Sequence, residues 1–309
     1  MGTRGSLAGR TIVITGASSG FGRGASLALG ARGAHVVVAA RRSALLDEVV
    51  AQITEVGGSA LAVPTDVSDA DAVERLAVRA EELTGHIDVW INNAGVGVMG
   101  LFWEVPLADH TRLVDVTFKG MLSGSHVALR RFCARGEGVL INVGSVAGEV
   151  PLAYQASYAA VKAGISSLGR SLNEELRLAG LGESIKVSTI LPWAADTPWW
   201  EHVGNDTGHA PRLAALDDPD IVVEAIVDAC TDPQQERPVG PKARSAKASH
   251  RLFRELTERF SGTLSESEIE KGSAVPDTSG ALHEPVAGGT TLHGDTRERM
   301  VMEDVERRP

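Results

Sequence analysis

Two kinds of stretch alternate along the first 240 residues of the chain. Short continuous apolar runs, such as 11–15 (TIVIT) and 35–40 (HVVVAA), predict strands that are covered on both faces. Longer stretches with helical periodicity follow these runs, at 21–32 and 43–56. Because strands and helices alternate, the sequence predicts stacked βα units and an α/β, doubly wound, Rossmann-like fold around a parallel sheet.

The same pattern continues to about residue 240 and supports one domain over 1–240. The remaining predicted strands are 60–64, 89–92, 139–143 and 185–191. The remaining predicted helices are 68–84, with Ser68 as its N-cap, 110–134, 154–179 and 217–230.

The pattern changes in the last part of the chain. Residues 241–260 are basic and place Leu252, Phe253, Leu256 and Phe260 on one helical face, which predicts an amphipathic helix. Packing of that face onto the domain is favoured over binding at a membrane surface. Residues 261–309 are acidic and rich in Gly, Ser and Thr, so we expect a polar tail that is flexible or ordered only against another surface, such as a neighbouring subunit.

Charge and cysteine content restrict the class of protein. The formal net charge of −10 disfavours nucleic acid as a partner, because phosphate backbones would be repelled. Two distant cysteines and scattered histidines indicate neither a disulfide scaffold nor a metal site. No apolar run is long enough to span a membrane. Gly2 and Ser6 fit an N-myristoylation pattern that arises easily by chance, and we expect a soluble, cytoplasmic protein.

A glycine-rich turn follows the first predicted strand and opens the first helix. It reads Gly16-Ala17-Ser18-Ser19-Gly20-Phe21-Gly22. Glycines at such a place let backbone N–H groups and a helix N-terminus approach a pyrophosphate. The sequence therefore predicts a dinucleotide site here.

The end of the second strand indicates which nicotinamide cofactor binds. An acidic residue there would bind the ribose 2′-OH of NAD and repel the 2′-phosphate of NADP. This chain has Ala40 at that position, followed by Arg41 and Arg42. We therefore expect NADP, with Arg41 as the ligand of the 2′-phosphate, although both arginines could simply be a solvated helix start.

Tyr158 and Lys162 predict a proton-transfer site. Their i, i+4 spacing places both side chains on one helical face, and Ser145 lies upstream, just beyond a predicted strand. Lys162 and a positive nicotinamide ring should lower the pKa of Tyr158 toward neutrality, so that the phenol exchanges a proton with a substrate oxygen. Lys162 would also hold the nicotinamide ribose, and the Ser145 hydroxyl would bind the substrate oxygen.

Together these motifs resemble the single-domain branch of the short-chain dehydrogenase/reductase family over roughly residues 8–240. The resemblance implies that Asp66 and Val67 hold the adenine and that Asn92-Asn93-Ala94-Gly95 braces the fourth strand beside the ribose and nicotinamide. It also implies assembly as a homodimer or homotetramer. The full predicted cofactor set is Gly16, Ser18, Ser19, Gly20, Phe21, Gly22, Arg41, Asp66, Val67, Asn93, Ala94, Gly95, Tyr158, Lys162, Pro192, Ala195 and Thr197.

Two positions depart from the family pattern. Thr117 stands where the family has an asparagine that holds a water in a proton relay, so Thr117 is either a further catalytic residue or a satisfied core hydroxyl. Trp193 replaces the glycine that usually follows Pro192, while Thr197 fits.

Three of the five tryptophans lie between 193 and 200, which predicts an apolar, aromatic-walled substrate pocket. Packing of the loop or of a subunit interface is the alternative interpretation of these rings. The predicted lining is Val98, Val150, Tyr154, Trp193, Trp199 and Trp200. The favoured function is NADP-dependent hydride transfer between nicotinamide and a secondary alcohol or ketone on a hydrophobic substrate. The alternatives are a non-catalytic NADP(H)-binding sensor or scaffold and, less favoured, an epimerase or dehydratase.

Overall fold

The main sheet of the protein consists of parallel strands whose order reverses in the middle. In the computed structural model, which describes residues 6–307, seven strands are ordered β3-β2-β1-β4-β6-β7-β9. Two short further strands, β5 and β8, pair with each other in parallel. The strands are β1 (Thr11–Thr15), β2 (His35–Ala40), β3 (Ser59–Pro64), β4 (Val89–Asn92), β5 (Val98–Met99), β6 (Gly138–Val143), β7 (Ile185–Leu191), β8 (Gly204–Asn205) and β9 (Glu236–Pro238).

Helices follow most strands and cover both faces of this sheet. They are α1 (Gly20–Gly30), α2 (Ser43–Glu55), α3 (Ala70–Thr84), α4 (Leu107–Leu113), α5 (Gly120–Arg135), α6 (Ala156–Leu178), α7 (Trp199–His202), α8 (Asp220–Ala229), α9 (Gly240–Leu252), α10 (Arg254–Glu270) and α11 (Thr296–Glu306). A π-helical segment, Val114–Lys119, joins α4 to α5, and a 3-10 turn, Val146–Gly148, follows β6. The predicted α/β fold is therefore confirmed, and the N-cap of α3 is Asp69 rather than Ser68.

Alternating strand residues enter two separate hydrophobic layers, which explains why the strands are apolar throughout. Ile12 and Ile14 of β1 pack into the layer formed with α1, α2 and α8. Val13, between them, packs into the opposite layer, which contains Leu76 of α3 and Phe132 of α5. Because successive side chains point to opposite faces of a strand, both faces of β1 are covered. Among residues 6–307, no helix is long and apolar enough to cross a membrane.

The C-terminal part of the chain packs against the domain in a way that the sequence did not predict. Two helices, α9 and α10, replace the single predicted helix over 241–260 and meet at Phe253. Their apolar ridge is not covered, since Leu252, Phe253, Leu256 and Phe260 are 63–74% exposed. The expected packing of this face onto the domain is thus wrong. Gly2, at the start of the chain, lies outside the described residues.

After α10 the chain returns across the domain as an irregular segment, residues 279–294, here called the C-terminal strap. Its Leu282 has no exposed surface and contacts Val98 and Gly204. Farther along the strap, Leu292 packs against Val223 of α8 at Gly24 of α1. These insertions fix both ends of the strap on the domain surface, and α11 follows.

Arg212 joins the C-terminal helices to the domain from a buried position. Its side chain is 2% exposed and lies 2.5 Å from Glu303 and 2.7 Å from Asp304, both of α11, and 3.6 Å from Glu268 of α10. Burial alone would raise the pKa of Glu303, but hydrogen bonds from Arg212 and Ser273 lower it to about 2. The Arg212 guanidinium and the carboxylates around it therefore compensate one another's charge.

We expect Arg212→Met to destabilise the protein strongly, because it removes the buried guanidinium shared by Glu303 and Glu268 and leaves them only their pairs with Arg299 and Lys271. The free energy of unfolding, measured in urea, should fall by about 3–5 kcal/mol. The matched control is Arg307→Met, which removes a 40%-exposed arginine from the same Asp304 and should cost less than about 1 kcal/mol. Equal losses in the two variants would contradict a structural role for the cluster.

Candidate active site

A single large cavity opens where the carboxyl ends of the central strands meet. It encloses about 790 Å³ and extends from the glycine-rich turn and the end of β2 to the residues that follow β6 and β7. The reversal of strand order between β1 and β4 creates a crevice at this edge, because helices leave the two strands toward opposite faces. The fold therefore places the predicted dinucleotide and proton-transfer residues around one space.

The glycine-rich turn forms one wall of this cavity. Gly16 has a φ of +68°, and a Cβ there would lie 2.7 Å from the Cα of Ala94, so no larger residue fits. Asn93 fixes the turn by donating from Nδ2 to the carbonyl oxygens of Thr15 and Gly16, at 3.0 and 3.2 Å. Gly22 packs tightly behind the turn, against Gly16 and Asn93. The turn is thus held rigidly with the N-terminus of α1 beside the cavity.

Two arginines stand at the end of β2 and bind the C-terminal strap. Arg41 donates to the carbonyl oxygens of Ala281 at 2.6 Å and His283 at 3.1 Å. Arg42 donates to the hydroxyls of Ser18 and Ser19, at 3.1 and 2.9 Å. It also donates to two strap carbonyls farther along. The sequence predicted Arg41 as a free phosphate ligand, whereas the structure holds both guanidiniums against the strap.

Asp66, predicted from the sequence to hold the adenine, follows β3 at the wall of the cavity and accepts hydrogen bonds from its neighbours. Its carboxylate is 2.9 Å from Nη2 of Arg112 and accepts from the backbone and hydroxyl of Ser68. Burial raises the pKa of Asp66, but the hydrogen bonds from Ser68 and Arg112 outweigh it and leave that pKa below its usual value. Asp66 is therefore a fixed anion, and Val67 lines the cavity beside it.

Tyr158, Ser145 and Lys162 meet on the floor of the cavity. Tyr158 and Lys162 face inward from the first turns of α6, and the Lys162 Nζ lies 5.5 Å from the centre of the Tyr158 ring. The same Nζ donates to the carbonyl oxygen of Val143 at 2.8 Å. Ser145 follows β6, forms a hydrogen bond with the Tyr158 side chain and accepts from the backbone of Ala147.

Burial controls the proton affinities of these groups. It raises the pKa of Tyr158 to about 12, and the hydrogen bond with Ser145 lowers it only in part. Burial also lowers the pKa of Lys162 to about 8, since the ammonium is taken out of water. Among the groups of the protein itself, burial outweighs the hydrogen bond with Ser145, and the lowering of the Tyr158 pKa expected from Lys162 together with a positive nicotinamide ring stays a prediction. At neutral pH the phenol carries its proton.

Thr117 is separated from this floor, although the sequence offered it as a catalytic residue. Its fully buried hydroxyl donates to the carbonyl oxygen of Val96 at 3.2 Å and accepts from the Val96 N–H at 3.0 Å. Thr117 belongs to the π-helical segment and does not line the cavity. The geometry corresponds to the alternative interpretation, a satisfied core hydroxyl.

Aromatic and aliphatic side chains form the wall beside Tyr158. Trp199 lies with its ring centre 5.3 Å from that of Tyr158, and the Trp193 and Trp200 indoles donate to backbone carbonyls that hold the segment after β7 in place. Val150 completes the predicted set that lines the cavity.

Two predicted substrate residues lie outside the cavity. Val98 is buried in β5, which pairs with β8 and covers it. Tyr154 is half-buried with a φ of +63°, and burial, followed by the charges of Glu266 and Glu270, raises its pKa. Tyr154 therefore stands on the side of α10 that carries these carboxylates, away from the reaction space.

The uncovered ridge of α9 and α10 reaches the mouth of the same cavity. Phe253, Leu256, Phe260 and Leu264 line it together with Leu213. Because these side chains are apolar and open to the cavity, the wall that begins at Trp193 continues onto the C-terminal helices. The sequence pattern had identified this face without indicating what it lines.

The cavity collects most of the predicted cofactor residues, and Gly22 alone among them stands behind the wall. Those that line it are Gly16, Ser18, Ser19, Gly20, Phe21, Arg41, Asp66, Val67, Asn93, Ala94, Gly95, Tyr158, Lys162, Pro192, Ala195 and Thr197. The cavity is also lined by residues that the motifs did not indicate, namely Arg42, His202 and the strap residues Ala281, Pro285 and Val286. Away from the cavity, exposed Asp218, Asp220 and His293 bring potential ligand atoms within 4.8 Å of one another.

The known protein sequences similar to this chain are named as oxidoreductases or dehydrogenases. The chain is 34% identical over 254 residues to the uncharacterized oxidoreductase YxnA of Bacillus subtilis, covering 81% of this chain and 71% of that protein. It is 34% identical over 251 residues to the probable oxidoreductase EphD of Mycobacterium tuberculosis, but spans 42% of that protein's length. It is 37% identical over 194 residues to 3beta-hydroxysteroid dehydrogenase 1 of Eggerthella lenta, covering 62% and 73% of the two chains.

Solved structures share the fold and differ in cofactor. A short chain dehydrogenase/reductase from Burkholderia phymatum in complex with NAD has a TM-score of 0.72 at 25% identity, covering 82% of this chain and 96% of that chain. A metagenomic short-chain oxidoreductase in complex with NADP has a TM-score of 0.63 at 30% identity, covering 75% and 97%.

The sequence family described as short chain dehydrogenase matches residues 10–208, which include the glycine-rich turn, Ser145, Tyr158 and Lys162. The relatives and the solved structures agree with this match. The chain therefore belongs to the short-chain dehydrogenase/reductase family and is an NAD(P)-dependent oxidoreductase acting on CH–OH and C=O groups.

Proposed function

We propose that the protein is an NADP(H)-dependent oxidoreductase that interconverts a ketone and a secondary alcohol on a large apolar substrate. The observation that carries the proposal is one cavity with buried Lys162 and half-buried Ser145 and Tyr158 at its floor and two guanidiniums at its far end. Homo-oligomeric assembly and a cytoplasmic location stay predictions from the sequence.

The residues around the cavity fit an extended dinucleotide with a 2′-phosphate. The cradle that Gly16 leaves open and the N-terminus of α1 suit a pyrophosphate, and Lys162 stands at the other end to hold the nicotinamide ribose. Ala40 ends β2 without a carboxylate, and Arg41 and Arg42 add positive charge beside it. NADP is favoured over NAD for this reason. When bound, NADPH supplies the hydride that reaches the carbonyl carbon.

Tyr158 is the proton donor for reduction. Its pKa of about 12 keeps the phenol protonated at neutral pH, so that it donates to the carbonyl oxygen as negative charge develops there. Ser145 binds the same oxygen through its hydroxyl. The phenolate that is left is stabilised by its hydrogen bond with Ser145 and by the Lys162 ammonium, 5.5 Å from the ring centre.

The substrate proposed for this site is apolar and larger than a simple ketone. Trp193, Trp199 and Val150 form the inner wall, and the ridge of α10 extends it outward. From Leu256 to Leu264 the ridge covers about 12 Å along the helix. A fused-ring or long aliphatic ketone fills such a length, and the resemblance to a hydroxysteroid dehydrogenase agrees with this class of substrate.

Tyr158→Phe should lower kcat for ketone reduction by roughly 10²- to 10⁴-fold, because the proton donor is removed. The Kd for NADPH, measured by fluorescence titration, should change less than about twofold. Tyr154 is the other tyrosine of the chain and lies outside the cavity, so Tyr154→Phe is the matched control and should keep kcat. Unchanged turnover in Tyr158→Phe would refute the proposed mechanism.

The pH dependence of reduction should report Lys162. Burial lowers its pKa, so the ammonium is lost as the pH rises through about 8 rather than near 10.5. Because the charged form stabilises the phenolate, kcat should be constant on the acidic side and fall above a midpoint of about 8. Lys162→Met should turn over more slowly and lack this decline. A wild-type profile that stays flat between about pH 7 and pH 9.5 would contradict the role given to Lys162.

Phe260→Ala should weaken the use of a fused-ring ketone such as 2-decalone and spare a small one such as acetone. We expect KM for the large ketone to rise about tenfold, equivalent to about 1.4 kcal/mol of lost apolar contact. Phe102 is also exposed and does not line the cavity, so Phe102→Ala should leave both ketones unaffected. Equal changes for both ketones in Phe260→Ala would argue against a substrate role for the ridge.

A further inference from the structure

Two stretches of the C-terminal strap differ in how firmly they are attached to the domain. The first half, residues 279–283, is anchored. Leu282 is fully buried, and Asp109 accepts from Ser279 at 3.0 Å and is paired with His283 at 2.7 Å. Arg112 donates to the Leu282 carbonyl oxygen at 3.0 Å. This half supplies the carbonyls that bind Arg41.

The next stretch, residues 284–290, is held mainly by polar contacts at its backbone. Its side chains are exposed or half-buried. The carbonyl oxygens of Val286 and Gly288 accept from Arg42, at 3.2 and 3.1 Å, and the Gly288 carbonyl also lies 3.1 Å from Nε2 of His202. Displacing this stretch therefore breaks few contacts, whereas displacing the first half would open the core at Leu282.

Arg42 and Arg41 also differ in the charges around them. The charged neighbours that shift the pKa of Arg41 include the carboxylates of Asp66 and Glu284. Burial, followed by the positive charges of Arg41 and Arg23, lowers the pKa of Arg42, with no carboxylate contributing. Within residues 6–307, every hydrogen bond that Arg42 makes goes to a neutral oxygen. Arg42 is thus a half-buried cation whose present acceptors are all neutral. A dianion would bind its guanidinium more strongly than these neutral oxygens do.

We propose that the 2′-phosphate of NADP(H) binds Arg42 and Ser18 in exchange for the carbonyls of Val286 and Gly288, while Arg41 stays bound to the anchored half of the strap. This inference rests on the proposed NADP dependence. A phosphate accepts charge-assisted hydrogen bonds that are stronger than those of a neutral carbonyl. NAD(H) has no such group, so it leaves residues 284–290 in place. Residues 284–290 then become mobile only with the phosphorylated cofactor.

A nitroxide at position 287 tests the exchange. Ala287 is exposed and does not line the cavity, and Cys133→Ser removes the exposed native thiol while Cys230 is buried. We expect the spectrum of the label at Ala287→Cys to become mobile with saturating NADP⁺ and to stay unchanged with saturating NAD⁺. A label at exposed Ala51→Cys on α2 is the control and should respond to neither. No response to NADP⁺ at 287, or immobilisation, would overturn the exchange.

Affinities of two arginine variants test which guanidinium takes the phosphate. Arg42→Ala should raise the Kd for NADP⁺ by roughly tenfold to a hundredfold and change that for NAD⁺ less than about twofold. Arg41→Ala should weaken NADP⁺ by less than about fivefold. The reverse order would overturn the inference and leave NADP dependence standing. Equal wild-type affinities for NADP⁺ and NAD⁺, unchanged in both variants, would overturn the proposed cofactor and this inference together.

Discussion

The reversal of strand order between β1 and β4 is the constraint on which the rest of the structure depends. It opens a crevice at the carboxyl edge of the sheet, and the turns after β1, β2, β4, β6 and β7 all face it. Residues far apart in the chain, such as Ser18 and Tyr158, therefore share one cavity. Each turn follows a buried parallel strand that fixes its position. The side chains on these turns are therefore held in place around the cavity.

Removal of water gives this cavity its chemistry. The same burial that keeps the Tyr158 phenol protonated brings the pKa of Lys162 down to about 8, so acid and cation coexist near neutral pH. Ser145 offsets part of the cost of ionising the phenol. Apolar side chains continue from Trp193 to the exposed Phe260 at the mouth, which suits an apolar ketone better than a charged one.

The sequence predicted those parts of the fold and site that depend on local pattern. The glycine-rich turn and the Tyr158–Lys162 pair are each recognised from residues that lie close together in the sequence. The structure brings both motifs to one cavity. Val98 was misplaced because a short pairing of β5 with β8, from a distant loop, buries it. Tyr154 was misplaced because its backbone is left-handed and its carbonyl oxygen accepts from the Gly100 N–H at 2.9 Å. The strap was not predictable, since it binds Arg41 and Arg42 through backbone carbonyls, which any sequence provides. Helical periodicity identified the α10 ridge but not what lies opposite it.

Hydride and proton are proposed to reach one carbonyl group on the floor of this cavity. The most direct measurement follows a single turnover of 2-decalone with NADPH deuterated at the transferable position of C4, analysing the alcohol by mass spectrometry and NMR. One deuterium is expected on the carbinol carbon, and its rate of transfer should fall roughly 10²- to 10⁴-fold in Tyr158→Phe. Tight binding of NADPH without deuterium in any ketone tested, or transfer that is undiminished in the phenylalanine variant, would contradict the proposal.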